Sequence, residues 1–297
     1  MSIWPQAAQP WDVIAAEVQA LEQAGWDGVY VADHFMPNFG DINRPTSECV
    51  ALMGGLAVTT ERMRIGSLVF GNTYRHPAIL ANQVATIDHM SGGRVLLGLG
   101  AGWQENEHEA YGIELPPVKE RLDRFEEAVQ VVKGLFQNER FSFEGTYYTL
   151  DEAPMNPARA DMKLLIGGAG EKRTMRIAAQ HADEWNTWST PDIMRGKLEI
   201  LRKHCDELGR DFDDITVSTQ SLLFMSDDDA TLDGFRNMQL AMPTMIGTPE
   251  QCADILGEHH ALGVDEFIVP DFTFPPPGSA RDELLEQIAT IAAPYRG

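Results

Sequence analysis

The 297-residue chain is 43% hydrophobic, enough for a sizeable core, and carries a formal net charge of -22 at pH 7. That acidity speaks against a nucleic-acid surface and against binding to anionic membranes. No apolar run approaches the roughly 20 residues that span a bilayer, and no signal-peptide pattern opens the chain. Cys49, Cys205 and Cys252 are scattered without a CxxC pattern. They suit a reducing cytoplasm and argue against a disulfide framework or a zinc site.

Strand and helix signals alternate along the chain. Residues 2–4 give a short first strand and 28–32 (GVYVA) a second, followed by an apolar helix over 49–59. The third strand is 64–70. Pro77 then opens a helix with Leu80, Val84, Ile87 and Met90 on one face, and Gly92-Gly93 suits its exit. A strand at 94–99 leads to a helix over 118–136, where Leu122, Phe125, Val129, Val132 and Phe136 recur at helical spacing. Residues 141–150, with Gly145 at their middle, read as a small inserted hairpin.

The fifth strand, 164–166, runs into Gly167, Gly168, Ala169 and Gly170, then a helix with Met175, Ile177 and Ala178 turned inward. A strand at 183–188, a helix at 191–208, a strand at 215–223 and a long helical region to Leu262 follow. Strand 266–269 and helix 281–292 close the chain. Eight βα units with continuous apolar strands predict one α/β domain, a (β/α)8 TIM-type barrel.

In such a barrel the reacting groups sit at the C-terminal ends of the strands. Asp33 and His34 follow the second strand, Tyr74-Arg75-His76 the third, and Gly100, Gly102, Trp103, Glu105 and Glu107 the fourth. Glu184, Trp185, Asn186 and Trp188 belong to the sixth and Asp271 to the eighth. Glycines between a strand end and a helix N-terminus turn backbone N–H groups toward an anion, usually a phosphate. Lys172, Arg173 and Arg176 add positive charge there. The same glycines also serve a tight turn that needs only left-handed backbone.

Histidine is the side-chain type that titrates nearest neutrality, which makes His34 the candidate for proton transfer, with Asp33 placed to fix its tautomer. Trp103, Trp185 and Trp188 read singly as core; converging on one mouth they suit a flat conjugated ligand. Glu105 and Glu107 suit a solvated helix start as well as a pocket. Residues 98–102 (GLGAG) lack the third glycine of a dinucleotide fingerprint, because Trp103 stands there. Asp33, His34 and His76 lack a metal-ligand spacing, so no metal is expected.

Together these segments, in order and spacing, are ones seen elsewhere. Gly25-Trp26-Asp27-Gly28 with Ala32-Asp33-His34-Phe35, Tyr74-Arg75-His76-Pro77, Asp88-His89-Met90-Ser91-Gly92-Gly93-Arg94, Leu97-Gly98-Leu99-Gly100-Ala101-Gly102-Trp103 and Arg121-Leu122-Asp123-Arg124-Phe125-Glu126-Glu127 belong to the match. So does Ile166-Gly167-Gly168-Ala169-Gly170-Glu171-Lys172-Arg173 through Ala182-Asp183-Glu184-Trp185-Asn186. The chain resembles the luciferase-like monooxygenase superfamily, in the branch that uses coenzyme F-420, a deazaflavin; relatives with similar motifs use FMN.

The resemblance implies a deazaflavin ring at the barrel mouth, with His34 as the active-site histidine and Asp33 beside it. It implies a non-prolyl cis peptide near Leu68-Val69, leading into Phe70 behind the ring. Gly100, Gly102 and Trp103 would complete the cofactor site, and Gly167, Gly168, Ala169 and Gly170 would hold its phosphate with Lys172 and Arg173. Glu107, Trp185 and Trp188 would line the substrate pocket. The activity implied is cytoplasmic hydride transfer between F-420 and a small organic substrate. An FMN-dependent monooxygenase and a non-catalytic flavin- or deazaflavin-binding protein are the alternatives, and a homodimer is the family habit. One departure stands out. Some sugar-phosphate dehydrogenases of the family carry a catalytic Glu where this chain has Trp103, which speaks against that reaction with that acid.

Overall fold

Strands that are apolar on both faces need cover on both sides, and here the chain supplies it by closing the sheet and wrapping it in helices. The computed structural model describes residues 1–295 apart from 39, 158 and 239. Its strands are β1 (Ser2–Trp4), β2 (Gly28–Val31), β3 (Arg64–Ser67), β4 (Phe70–Gly71), β5 (Val95–Gly100), β6 (Arg140–Glu144), β7 (Thr149–Pro154), β8 (Lys163–Gly167), β9 (Glu184–Trp188), β10 (Thr216–Gln220), β11 (Leu222–Met225), β12 (Thr244–Gly247) and β13 (Glu266–Pro270). The helices are α1 (Trp11–Gln23), α2 (Cys49–Thr59), α3 (Pro77–Ser91), α4 (Glu105–Tyr111), α5 (Val118–Gln137), α6 (Thr174–His181), α7 (Pro191–Leu208), α8 (Asp229–Arg236), α9 (Pro249–Ala261) and α10 (Ser279–Ala292).

All barrel pairings are parallel, in the order β3-β2-β1-β13-β10-β9-β8-β5, and β3 pairs back onto β5 through Ile65 and Gly66. This closes the eight-stranded TIM-type barrel expected from the sequence. The third strand is broken once. A cis peptide joins Leu68 to Val69, and β4 resumes beside β5.

Strand alternation sorts the side chains into two layers. Ile65, Leu97, Leu99, Leu164, Ile166, Trp185, Val217 and Val269 point outward into the core under the helices. Trp4, Tyr30, Leu68, Leu96, Leu165 and Ile268 fill the barrel, with Ala32, Val69 and Trp188 above them.

Two expectations change. The stretch 215–223 is two strands, and the helical region expected to reach Leu262 is α8, β12 and α9. Pro243 and the capping box of Thr248 with Gln251 interrupt that region chemically, and β12 pairs in parallel with β11 outside the barrel. The inserted hairpin forms as β6 and β7, longer than 141–150.

Glu184, expected at the mouth, opens β9 and therefore lies at the opposite end. There Arg64 bonds Glu184 at 3.0 Å and also pairs with Glu266, which in turn accepts from Tyr30 Oη at 2.8 Å and from Ser2. Among the described residues no helix is long and apolar enough to cross a membrane.

Removing Arg64 strands two buried carboxylates in the barrel floor. Arg64→Ala is therefore expected to cost roughly 2–4 kcal/mol, discounted for the partial exposure of the guanidinium. Urea denaturation measures this, and an unchanged midpoint would show that the floor is not held by the ion pairs.

Candidate active site

The first two polar residues after β2 go to different partners. Asp33 is buried and accepts two bonds from Arg75, at 2.7 and 2.8 Å, and one from the Gly71 N–H at 2.9 Å. Arg75 also reaches Glu48 at 2.6 Å. Asp33 is thus committed to the β2 and β4 loops, and the expected Asp33–His34 pairing does not form.

His34 is oriented instead by Glu107. The Nδ1 atom of His34 lies 3.2 Å from Glu107 Oε1. Glu107 comes from α4 and is fully buried, not on a solvated helix start. It also accepts from the backbone N–H groups of Phe35 and Met36 and from the Tyr74 hydroxyl. An ionised carboxylate only accepts, so the bond requires a proton on Nδ1 and leaves Nε2 as the open nitrogen. Burial pushes the Glu107 carboxyl up, but the bonds from His34, Tyr74 and Phe35 outweigh it and hold the group below the ordinary glutamate range. Burial and the neighbouring Glu107 carboxylate push the Tyr74 phenol well up, so it stays a donor.

Behind this pair Tyr74 stacks on His108 with ring centroids 4.7 Å apart. His108 Nδ1 faces the Gln104 carbonyl at 2.7 Å and Nε2 faces Thr73 Oγ1 at 2.7 Å. Gly102 has φ +83, and a Cβ there would stand 2.4 Å from Thr73 Oγ1. Trp103 is 56% exposed and meets the His34 ring edge-on at 5.7 Å. Across the mouth Trp4 packs against Trp188 and Phe272.

Beside these groups lies a seam of glycines. A Cβ at Gly100 or Gly167 would stand 2.7 Å from a Val69 methyl, and one at Gly98 would stand 2.0 Å from the Ser67 carbonyl oxygen. Val69 therefore lies against bare backbone of β5 and β8, with Leu68 below it in the barrel. Phe70 points the other way, into the outer core beneath Arg75. The Gly168 backbone, at φ +134, donates to the Asn186 carbonyl and accepts from Trp185 Nε1 at 3.1 Å.

Trp185 is completely buried in the outer core, so it braces this loop and does not line the mouth. Arg173 pairs with Asp123 and Glu126, and Arg176 with Glu207. Lys172 is exposed. Lys197, which the sequence reading missed, donates to the Ala169 carbonyl at 3.0 Å and pairs with Glu171 at 2.8 Å. Among the described residues the N–H groups of Ala169 and Gly170 have no protein acceptor. Val69, seated on these glycines next to a loop with spare N–H donors, offers an apolar bed that suits a flat ring carrying a phosphate.

The sequence profile of luciferase-like monooxygenases matches residues 2–234. The chain belongs to this family. An F-420-dependent glucose-6-phosphate dehydrogenase of Microbacterium testaceum is 33% identical over 221 residues, 72% of this chain and 65% of that one. The enzyme of the same name from Nakamurella multipartita is 33% identical over 214 residues, 70% of this chain and 62% of that one. The match spans just under two thirds of these relatives' own length.

Among solved structures, an F-420-dependent secondary alcohol dehydrogenase with an F-420–acetone adduct superposes with a TM-score of 0.85 at 22% identity, covering 100% and 99% of the two chains. A long-chain alkane monooxygenase superposes at 0.82 and 15% identity, covering 99% and 92%. At these identities the likeness is one of fold, and both structures share the luciferase-like barrel described above.

The linkage at Glu107 has a defined sign. Its folded-state value is lowered, so its stabilisation is present above the ordinary carboxylate range and is lost as pH falls through the folded value. Glu107→Gln is expected to flatten the acid limb of the stability curve and to abolish the Nδ1–H signature of His34 in nitrogen NMR. A His34 tautomer unchanged in that variant would show that another group orients the ring.

Proposed function

We propose that this luciferase-like protein is an oxidoreductase that moves a hydride between coenzyme F-420 and a small organic substrate. The observation that carries the reading is the adjacency of the glycine seam under Val69 to a histidine whose tautomer is fixed. When bound, the deazaflavin supplies a hydride-exchanging ring carbon and leaves the accompanying proton to the protein. His34 Nε2 holds or releases that proton, and Glu107 keeps the ring turned for it. Gly100 and Gly167 leave room for Val69, against which the ring would rest, and Trp103 and Trp188 wall the mouth against water. Ala169 and Gly170 offer N–H groups to the phosphate, with Lys172 at the rim. The relatives named as F-420-dependent dehydrogenases support this cofactor. The alkane monooxygenase neighbour keeps the FMN-dependent reading as the second.

Oxidised F-420 and FMN, titrated separately against the purified protein by fluorescence, distinguish the two. Saturable binding of F-420 with FMN much weaker is expected; preference for FMN, with oxygen consumption by the reduced complex, would overturn the reading. His34→Ala is expected to lower kcat by about 10²- to 10⁴-fold while F-420 affinity stays within a few-fold. Unchanged turnover in that variant favours a histidine without a proton-transfer role.

The assembly we propose is a homodimer through the outer faces of α2 and α3. Helix α2 carries no charged side chain over its 11 residues. Val58 is 68% and Ile79 58% exposed, and Asn82 and Thr86 beside them are uncharged. Two copies each carrying -22 repel wherever charge meets charge, so an uncharged face is where they can dock. Val58→Glu is expected to yield a monomer by light scattering, and a wild-type monomer at micromolar concentration would rule the dimer out.

A further inference from the structure

Strand β10 alternates in and out of the barrel. Val217 points outward into the core, Ser218 inward, Thr219 outward and Gln220 inward. Gln220 is the last residue of the strand, so its side chain enters the barrel at the mouth. Its register partners are Trp188 on β9 and Ile268 on β13, both part of the apolar layer inside the barrel.

The polar side chains around Gln220 have found partners. Asn186 donates to Ser218 Oγ at 3.0 Å, Thr219 Oγ1 to the Thr187 carbonyl at 2.7 Å, and Ser221 Oγ to the Ser189 carbonyl. Gln220 differs from them: it is 2% exposed, and its Oε1 is buried with no partner. A buried carboxamide oxygen left unbonded is destabilising, and a methionine would fill the same space without that cost.

The barrel order fixes what the amide faces. In the closed ring β3-β2-β1-β13-β10-β9-β8-β5, β10 stands diametrically opposite β3, at whose end the chain bends through Leu68 and Val69. A ring bedded on Val69 therefore shows its open face to Gln220. The rest of this wall is apolar: Trp4 packs on Trp188 at 5.8 Å and on Phe272 at 5.1 Å. The charge beside Phe272, Asp271, is already paired with Arg281, which also holds Glu17.

We propose that Gln220 is a substrate-binding residue, and that the substrate is an uncharged molecule whose apolar body lies on Trp4 and Trp188 while a hydroxyl or N–H donates to Gln220 Oε1. This rests on the deazaflavin reading above. Small-molecule pockets fix orientation with a few placed polar groups in an apolar wall. An ionised group on the substrate would meet only indole, phenyl and a neutral amide here, and would lose its hydration without a counter-charge.

Three probes that differ in one group test the proposal: toluene, benzyl alcohol and benzyl phosphate, titrated by calorimetry into F-420-loaded protein, wild type and Gln220→Met. Ligand-free melting temperatures and F-420 affinities are measured alongside. Wild type is expected to bind benzyl alcohol at least as tightly as toluene, and benzyl phosphate most weakly. Gln220→Met is expected to weaken benzyl alcohol by roughly 3- to 10-fold and to leave toluene and F-420 within about 2-fold, with a ligand-free melting temperature equal or higher. A lowered melting temperature would show that the amide is bonded within the fold, and a loss of F-420 affinity would give it to the cofactor; either overturns the proposal. So would benzyl alcohol weakened no more than toluene, benzyl phosphate bound most tightly, or a loaded wild type that binds none of the three. A wild type that fails to bind F-420 instead brings down the cofactor reading, and this proposal with it.

Discussion

A carboxylate taken out of water must recover its hydrogen bonds from the protein, and at the barrel mouth that requirement positions three separate segments. The oxygens of Glu107 collect donors from the chain after β2 and from the loop after β4, while the carboxylate itself comes from α4 after β5. An unpaired buried charge costs several kcal/mol, whereas each bond contributes net about 1 kcal/mol. Satisfaction of Glu107 therefore dictates geometry more than it adds stability. The Asp33–Arg75–Glu48 cluster repeats the device between the β2 and β4 loops. His34 inherits a fixed ring from both clamps, as the proton-transfer role proposed for it requires before the substrate arrives.

The elements read well from the sequence where local chemistry marks their ends. Helices α2, α3 and α7 match the expected bounds because Glu48, Pro77 with Gly92, and Thr190-Pro191 with Gly209 cap them. The region after residue 215 reads poorly, since a continuous apolar run does not show where one strand stops and another begins. Helix α1 carried a legible signal in Ile14, Val18 and Leu21 at helical spacing, which the sequence reading left unused.

Strand-end positions such as His34 and Gly167 were legible because barrel geometry dictates which end of a strand meets the ligand. Side-chain partners were not. Asp33 neighbours His34 in sequence, yet consecutive residues at a strand end turn to opposite sides, which disfavours the pairing and leaves Asp33 to Arg75. The same alternation sends Trp185 outward between the inward-facing Glu184 and Asn186, so period-two reading was the available signal. Arg173 finds its carboxylates 50 and 47 residues away on α5, and nothing local announces them.

The charge of the chain poses a problem that the site resolves locally. A body of net charge -22 repels an anionic cofactor at long range, and most cations near the mouth are already spent on carboxylates. At physiological ionic strength screening limits such fields to about 8 Å, so the last contacts decide affinity. Oriented backbone N–H groups act only within that distance and bring no long-range field. On the proposed reading, cofactor recognition is therefore a matter of close fit to the loop after β8, with the overall field opposing the approach.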